Sequence, residues 1–234
     1  MPVGWVLLFW AAPVLVLIAL VVMVRSGAWK RYPFLLLYLV LGLAGQASNL
    51  LVLTRTHETG SRAYAISYWT SDLVLHGLVI VLLLFLMRQA RHRSSGLDRV
   101  GLLILATVAL LVAFAIYMLL GPTRGWITPL SRLLSFCEAL LNLVLWTILI
   151  RDRSRDVVLF LVSAGLGIQV TGEVIGRTLR LATGSPLLAE ITNALVLICE
   201  TGALLIWCRA FLTYGRLRAA ERKAEAARGP HGGA

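Results

Sequence analysis

The sequence predicts an all-α, polytopic membrane protein: a seven-transmembrane-helix bundle with its N-terminus outside and its C-terminus in the cytoplasm. Three observations predict it. Of the 234 residues, 59% are hydrophobic and only 14% are charged, more apolar surface than a soluble domain of this length could keep out of water. The apolar residues gather in seven stretches, each long enough at about 1.5 Å per residue to cross a hydrocarbon core of about 30 Å. The basic residues alternate from loop to loop. Strands would be about half as long and would alternate polar with apolar, so a β-barrel does not fit. Backbone groups in lipid must bond within their own segment, which makes the stretches helices.

The first span, 3–24, carries no charge and has Arg25 directly behind it; without a basic leader it reads as a retained helix rather than a signal peptide. The second, 33–53, opens on Pro33, a residue suited to a first helical turn, and carries Gln46, Ser48 and Asn49. The third, 65–87, continues a four-residue stripe of Tyr64, Tyr68, Asp72 and His76. The fourth, 100–120, offers only Thr107 and Tyr117. The fifth, 128–150, carries Ser131, Ser135, Glu138 and Asn142. The sixth, 157–179, carries Gln169, Glu173 and Arg177. The seventh, 186–212, starts on Pro186 and carries Glu190, Asn193 and Glu200. These spacings of three, four and seven put each set on one helical face. The first and fourth spans, lacking such sets, are expected at the lipid-facing rim. Residues 213–234 form a basic tail, helical in composition through Arg228 and then expected to be disordered.

Sixteen of the 22 Lys and Arg residues fall in the first, third and fifth loops and the tail; the other six are Arg55, Arg62, Arg124, Arg132, Arg177 and Arg180. The positive-inside rule then places the tail in the cytoplasm. The same distribution accounts for the net charge of +11, so no nucleic-acid partner is called for. The partners expected are the lipid bilayer, a small polar or anionic ligand and a cytoplasmic signalling protein docked on the tail. Gly172-Glu-Val-Ile-Gly176 is a small-residue motif for close helix packing and offers a homodimer face.

Charges at membrane depth are expensive, about 2.5–3.5 kcal/mol each on insertion scales, and tend to carry function. The candidate ligand-binding or proton-linked residues are therefore Asp72, His76, Glu138, Glu173, Arg177 and Glu200. Gln46, Asn49, Tyr68, Asn142, Gln169, Glu190 and Asn193 form the supporting lining. By position along their spans, His76, Glu138, Gln169 and Glu200 fall near the bilayer centre, and most of the others fall in the outer half. The expected shape is a polar cavity opening outward. Glu173 can pair with Arg177, and Asp72 with His76, one turn apart. Glu138 and Glu200 have no partner on their own helices, so at least one is expected to take up a proton or to meet His76 across the bundle. Amides and hydroxyls at such positions also serve as glue between helices, at about 0.6 kcal/mol each.

Several chemistries have no residues to carry them. Lys30 and Lys223 are the only lysines, and neither lies in a span, which removes a retinal Schiff base. His57-Glu58 is followed by Ser61 where HExxH zinc chemistry needs a second histidine. A single histidine within the spans cannot supply paired haem ligands. Cys137, Cys199 and Cys208 all lie in spans and read as small packing residues. No catalytic set, metal set or cofactor is expected.

The runs Tyr32-Pro-Phe-Leu-Leu-Leu-Tyr38, Tyr68-Trp-Thr-Ser-Asp72 and Ser131-Arg-Leu-Leu134 resemble an uncharacterised family of bacterial seven-transmembrane-helix membrane proteins, across the second to sixth spans. That resemblance implies a fold and no function. In helix count and topology the chain also resembles the seven-helix sensor modules of bacterial signalling proteins, from which it departs in lacking an attached kinase or cyclase domain.

The leading expectation is an inner-membrane sensor or ligand-binding module with an outward-facing polar cavity. A small proton-coupled transporter using His76, Glu138 and Glu200 is the first alternative, and a non-catalytic scaffold docking a partner through its tail is the second. An enzyme fits least, because no nucleophile–base pair is visible.

Overall fold

The computed structural model of the chain describes residues 3–56, 61–91, 101, 127–151, 156–182 and 186–228. Among them it is all-helical. Six long helices are present: α1 (Val3–Ser26), α2 (Pro33–Thr56), α3 (Arg62–Arg91), α4 (Ile127–Arg151), α5 (Val157–Ala182) and α6 (Pro186–Arg228). Five of them, α2 to α6, are long and apolar enough to cross a membrane, so the chain is a multi-pass helical membrane protein. The expected fourth span, 100–120, lies outside the described residues apart from Gly101.

Local chemistry sets the helix ends. Pro33 and Pro186 occupy first-turn positions. Ser61 Oγ accepts from the Tyr64 amide at 3.2 Å, and Asp156 Oδ1 from the Leu159 amide at 3.1 Å, each capping a helix N-terminus. Gly27 ends α1 with φ of 74°, a left-handed turn that favours glycine. The Arg218 guanidinium from α6 occupies the space its side chain would need. A single 3-10 turn, Ala28–Lys30, then leads into α2.

The helices close into a ring in chain order, with α6 returning to pack against α1. The α5–α6 seam is the most extensive and rests on small residues. A Cβ on Gly165 would overlap Trp207, one on Gly172 would overlap Cys199, and one on Gly176 would overlap Val196. Backbones approach closely there because lipid gives no hydrophobic drive for helix association, leaving dispersion contacts to hold the seam. Gly172 and Gly176 are thus taken up inside one chain, and the homodimer face that their motif offered is covered by α6.

Partner positions give helix directions. Gly45 meets Ser71 and Gly42 meets Leu75, so α2 and α3 are antiparallel. Asp72 meets Ser131 and His76 meets Glu138, so α3 and α4 run parallel. One end of the ring collects Ser26, Arg31, Gln89, Asp156 and Gly215, and is called the basic end here. Thr56, Arg62, Ile127 and Pro186 lie at the far end.

Packing is inverted relative to a soluble protein. Val21, Leu143, Ile150, Ile198 and Leu205 stand on the exterior, while His76, Ser131, Ser135 and Glu138 are buried. Exposed aliphatic side chains suit lipid, and polar groups gain by facing one another inside. The interior is divided along its axis. Toward the basic end it is filled by Met23, Leu35, Leu86, Met87, Leu149, Val158 and Phe211, all 3% exposed or less. The polar residues occupy the level between that plug and the far end. The rim placement expected of the first span holds for one face only: Val14, Leu17 and Val21 are exposed, whereas Val16, Ala19 and Met23 pack inward.

The 43 residues of α6 reach about 65 Å, twice the hydrocarbon thickness. The helix runs unbroken from the seventh span into the basic tail as far as Arg228. At the basic end Arg31 forms an ion pair with Asp156, lies over the rings of Tyr32 and Tyr214, and accepts on its carbonyl from Gln89 Nε2 at 3.1 Å. Burial works against the Arg31 charge, but Tyr32 and Asp156 outweigh it and hold the guanidinium pKa above its ordinary value.

Candidate functional site

The site is built around one imidazole. The stripe on α3 turns Asp72 and His76 toward the interior, and His76 is only 4% exposed. Its Nδ1 lies 2.8 Å from Glu138 Oε1 of α4, a carboxylate that is itself 1% exposed. Its Nε2 lies 3.7 Å from both Asp72 Oδ2 and Glu173 Oε1 of α5. Three helices thus present carboxylates to one ring.

Two serines from the α4 stripe complete the surroundings. Ser131 Oγ donates to Asp72 Oδ2 at 2.5 Å and stands 3.3 Å from His76 Nε2. Ser135 Oγ stands 3.4 Å from the same nitrogen and donates to the Ser131 carbonyl at 3.0 Å. A charge-assisted bond such as Ser131 to Asp72 fixes the carboxylate's orientation. Asp72, His76 and Glu173 each bring one donor atom within 4.8 Å of the other two.

Two adjoining cavities flank this cluster. One, of about 180 Å³, is lined by His76, Glu138, Glu173, Val170 and Val196. The other, of about 140 Å³, extends along α2 past Gln46 and Asn49 to Tyr68, which is 40% exposed. Tyr38, Asp72, Leu75, Gln169 and Glu200 belong to the walls of both. Gln169 Nε2 donates to the Tyr38 hydroxyl across the ring. Gln46 Oε1 and Gln169 Oε1 are buried without a hydrogen-bond partner among the described residues. The walls therefore present mainly acceptors: carboxylates and amide oxygens.

Of the residues expected from the sequence, Asp72, His76, Glu138, Glu173 and Glu200 come together, with Gln46, Asn49, Tyr68 and Gln169 beside them. Glu138 is the acid that meets His76 across the bundle. Three supporting residues stand elsewhere. Asn142 is buried one level nearer the basic end, where its side-chain nitrogen crowds Gly167 of α5. Glu190 and Asn193 are exposed near the far end of α6, because the inward face of that helix is taken by Thr192, Val196 and Cys199 against α5. Helical spacing put them in line with Glu200 without saying which side of the line a neighbour covers. The Arg177 side chain, expected to pair with Glu173, lies outside the described residues. Glu173 Oε1 stands 3.7 Å from His76 Nε2.

Sequence reasoning missed Tyr38 and Trp207. Tyr38 packs edge-to-face on Trp207 with ring centres 6.0 Å apart, and Trp207 Nε1 donates to the Val162 carbonyl at 3.1 Å. Together they floor the smaller cavity above the apolar plug. Their only signal was a hydroxyl and an indole nitrogen in otherwise apolar runs. No family model, curated protein or solved structure matches the chain.

Proposed function

We propose that the protein is a seven-helix ligand-binding or sensing module of a bacterial inner membrane, with its N-terminus outside, its basic end in the cytoplasm and its cavities opening outward. The observation that carries this is the axial division of the interior. Two acid-lined cavities share a wall in the far half, and the basic half is packed with aliphatic side chains and closed by Arg31 and Asp156. A binding pocket open to one side needs such a floor; a conduction path does not.

The helix directions support the seven-span count. Because α3 and α4 are parallel, α3 finishes at the basic end and α4 begins at the far end. The described helices on either side, ending at Arg91 and starting at Ile127, thus stand at opposite ends of the ring, which a seven-span arrangement requires.

The lining points to a ligand rich in hydrogen-bond donors and bearing positive charge. Asp72, Glu138, Glu173 and Glu200 offer carboxylates, and Gln46 and Gln169 offer buried amide oxygens. A primary ammonium group donates three bonds and accepts none, which complements this wall. Pockets of this kind take part of their specificity from a few placed polar groups in an apolar surround.

A second reading is a small proton-coupled transporter, favoured by the contact of His76 with Glu138 at mid-bundle. The apolar plug stands against it.

Native mass spectrometry of gently purified protein, with a panel of primary amines and amino acids added, tests the leading reading. The wild type should retain one small cation per chain, and Asp72→Asn or Glu200→Gln should lose it. Wild-type protein that stays bare throughout the panel would sink the reading.

A further inference from the structure

We infer that Asp72, His76 and Glu173 form a binding site for a divalent transition-metal ion, with one coordination position open to the larger cavity. The inference deepens the cavity reading and rests on it.

Proton accounting comes first. His76 Nδ1 faces Glu138 Oε1 at 2.8 Å, and an ionised carboxylate only accepts. In the neutral ring the proton therefore sits on Nδ1 and the lone pair on Nε2. Asp72 Oδ2 and Glu173 Oε1 each stand 3.7 Å from that nitrogen. Ser131 and Ser135 are near it too, but Ser131 gives its proton to Asp72 and Ser135 gives its proton to the Ser131 carbonyl. Nε2, Asp72 Oδ2 and Glu173 Oε1 are three ligand atoms from two helices, and one metal ion can bridge a set of that type.

Distances and charge select the centre. Ligand atoms about 2.0–2.2 Å from a tetrahedral ion stand roughly 3.4 Å apart. Ligands of an octahedral magnesium ion at about 2.0–2.1 Å stand roughly 2.9 Å apart on adjacent positions. The two separations from Nε2, 3.7 Å each, are closer to the first, and all three ligand atoms lie within 4.8 Å of one another. A dication offsets the charges of both ligand carboxylates, leaving only that of Glu138 in the cluster, which lowers the cost of burying three acids at membrane depth. One imidazole beside two carboxylates favours zinc, ferrous iron or manganese over calcium and magnesium.

The surroundings match a metal centre as well. A ligating histidine ordinarily donates its other N–H to a carboxylate, which fixes the ring, and Glu138 stands in that place. Ser131 holds Asp72 in the same manner. Three protein ligands beside a cavity of about 180 Å³ leave the fourth position for water or for a small ligand.

The test is metal binding by the intact chain, purified with a tag that contains no histidine and stripped with a chelator. Zinc and cobalt(II) are then titrated in, reading the metal-to-protein ratio by elemental mass spectrometry and the visible d–d bands of bound cobalt. About one saturable ion per chain with a four-coordinate cobalt spectrum is expected. His76→Gln and Glu173→Gln should lose the saturable site, and Glu138→Gln should weaken it about 10–100-fold. Glu173 is partly exposed and its amide is isosteric, so this variant should fold, which its size-exclusion profile checks. Absence of saturable binding by the wild type, or binding by Glu173→Gln and His76→Gln as tight as that of the wild type, overturns the inference. If the stripped wild type still retains a cationic organic ligand, only the metal inference falls; if it binds neither, the cavity reading falls with it.

Discussion

His76 and Glu138 meet at 2.8 Å between α3 and α4, both almost wholly buried, and their contact joins two parallel helices whose sequences are separated by 62 positions. Removing one partner takes a hydrogen bond from a buried polar group, which costs about 1–3 kcal/mol, more if the group is charged. His76→Ala and Glu138→Ala should each lower the thermal unfolding midpoint of metal-free protein in detergent. The double variant should be less destabilised than the sum of the two, with a coupling of about 1–3 kcal/mol. Strict additivity would mean that the two side chains are neighbours without being partners.

The α5–α6 seam predicts opposite responses to one kind of substitution. Gly165 lies under Trp207, whose indole is held by the Val162 carbonyl and cannot easily withdraw. Gly165→Ala should therefore destabilise by about 1–3 kcal/mol, as overpacking does. Gly77 has open space around it on the exposed side of α3. Gly77→Ala should be neutral or stabilising, by up to about 1 kcal/mol from helix propensity. Thermal unfolding of the two variants in the same detergent checks the pair, and a Gly165→Ala protein as stable as wild type would remove close packing as the role of that seam.

How much of this was legible beforehand divides by physical cause. The helices were readable because lipid permits few backbone solutions, so 20-residue apolar runs could scarcely be anything else. The inward face of α3 was readable too, since Tyr64, Tyr68, Asp72 and His76 repeat every fourth residue. Contacts between helices were not. Glu190 and Asn193 share a helical line with Glu200, but which flank of α6 meets α5 depends on Gly172 and Gly176, 14 to 21 residues earlier in the chain. A metal-competent set was invisible for the same reason: Asp72 and His76 are one turn apart, but Glu173 arrives from a helix about 100 residues later. Tyr38 and Trp207 carry only one polar atom each, and their value as a cavity floor comes from meeting each other.

The ion pair at the basic end makes a third prediction. Asp156 is 9% exposed and has two roles, pairing with Arg31 and capping α5 through the Leu159 amide. Asp156→Asn keeps a capping oxygen but withdraws the countercharge from an arginine held between Tyr32 and Tyr214. Asp156→Ala removes both. Stability should fall in the order wild type, Asn, Ala, with the second step about 1 kcal/mol from the lost cap. Equal loss in the two variants would show that the cap contributes little. Neither change should alter retention of a ligand in the far half, because the apolar plug separates the two.

Orientation supplies the last prediction. The basic end gathers Arg25, Lys30, Arg31, Arg88 and Arg91, and α6 carries Arg216, Arg218, Arg222 and Lys223 beyond it. On the positive-inside rule this end faces the cytoplasm. Lys30 and Arg55 are both exposed and stand at opposite ends of α2, so they make a matched pair of probes. With Cys137, Cys199 and Cys208 shielded in the spans, Arg55→Cys should react with a membrane-impermeant maleimide applied to intact cells whose outer membrane has been made permeable. Lys30→Cys should react only after the inner membrane is broken. The reverse pattern would turn the cavity mouth toward the cytoplasm and recast the protein as a receiver of internal ligands. Labelling of both sites from the outside would mean that α2 does not cross the bilayer, and the bundle as a whole would need a different relation to the membrane.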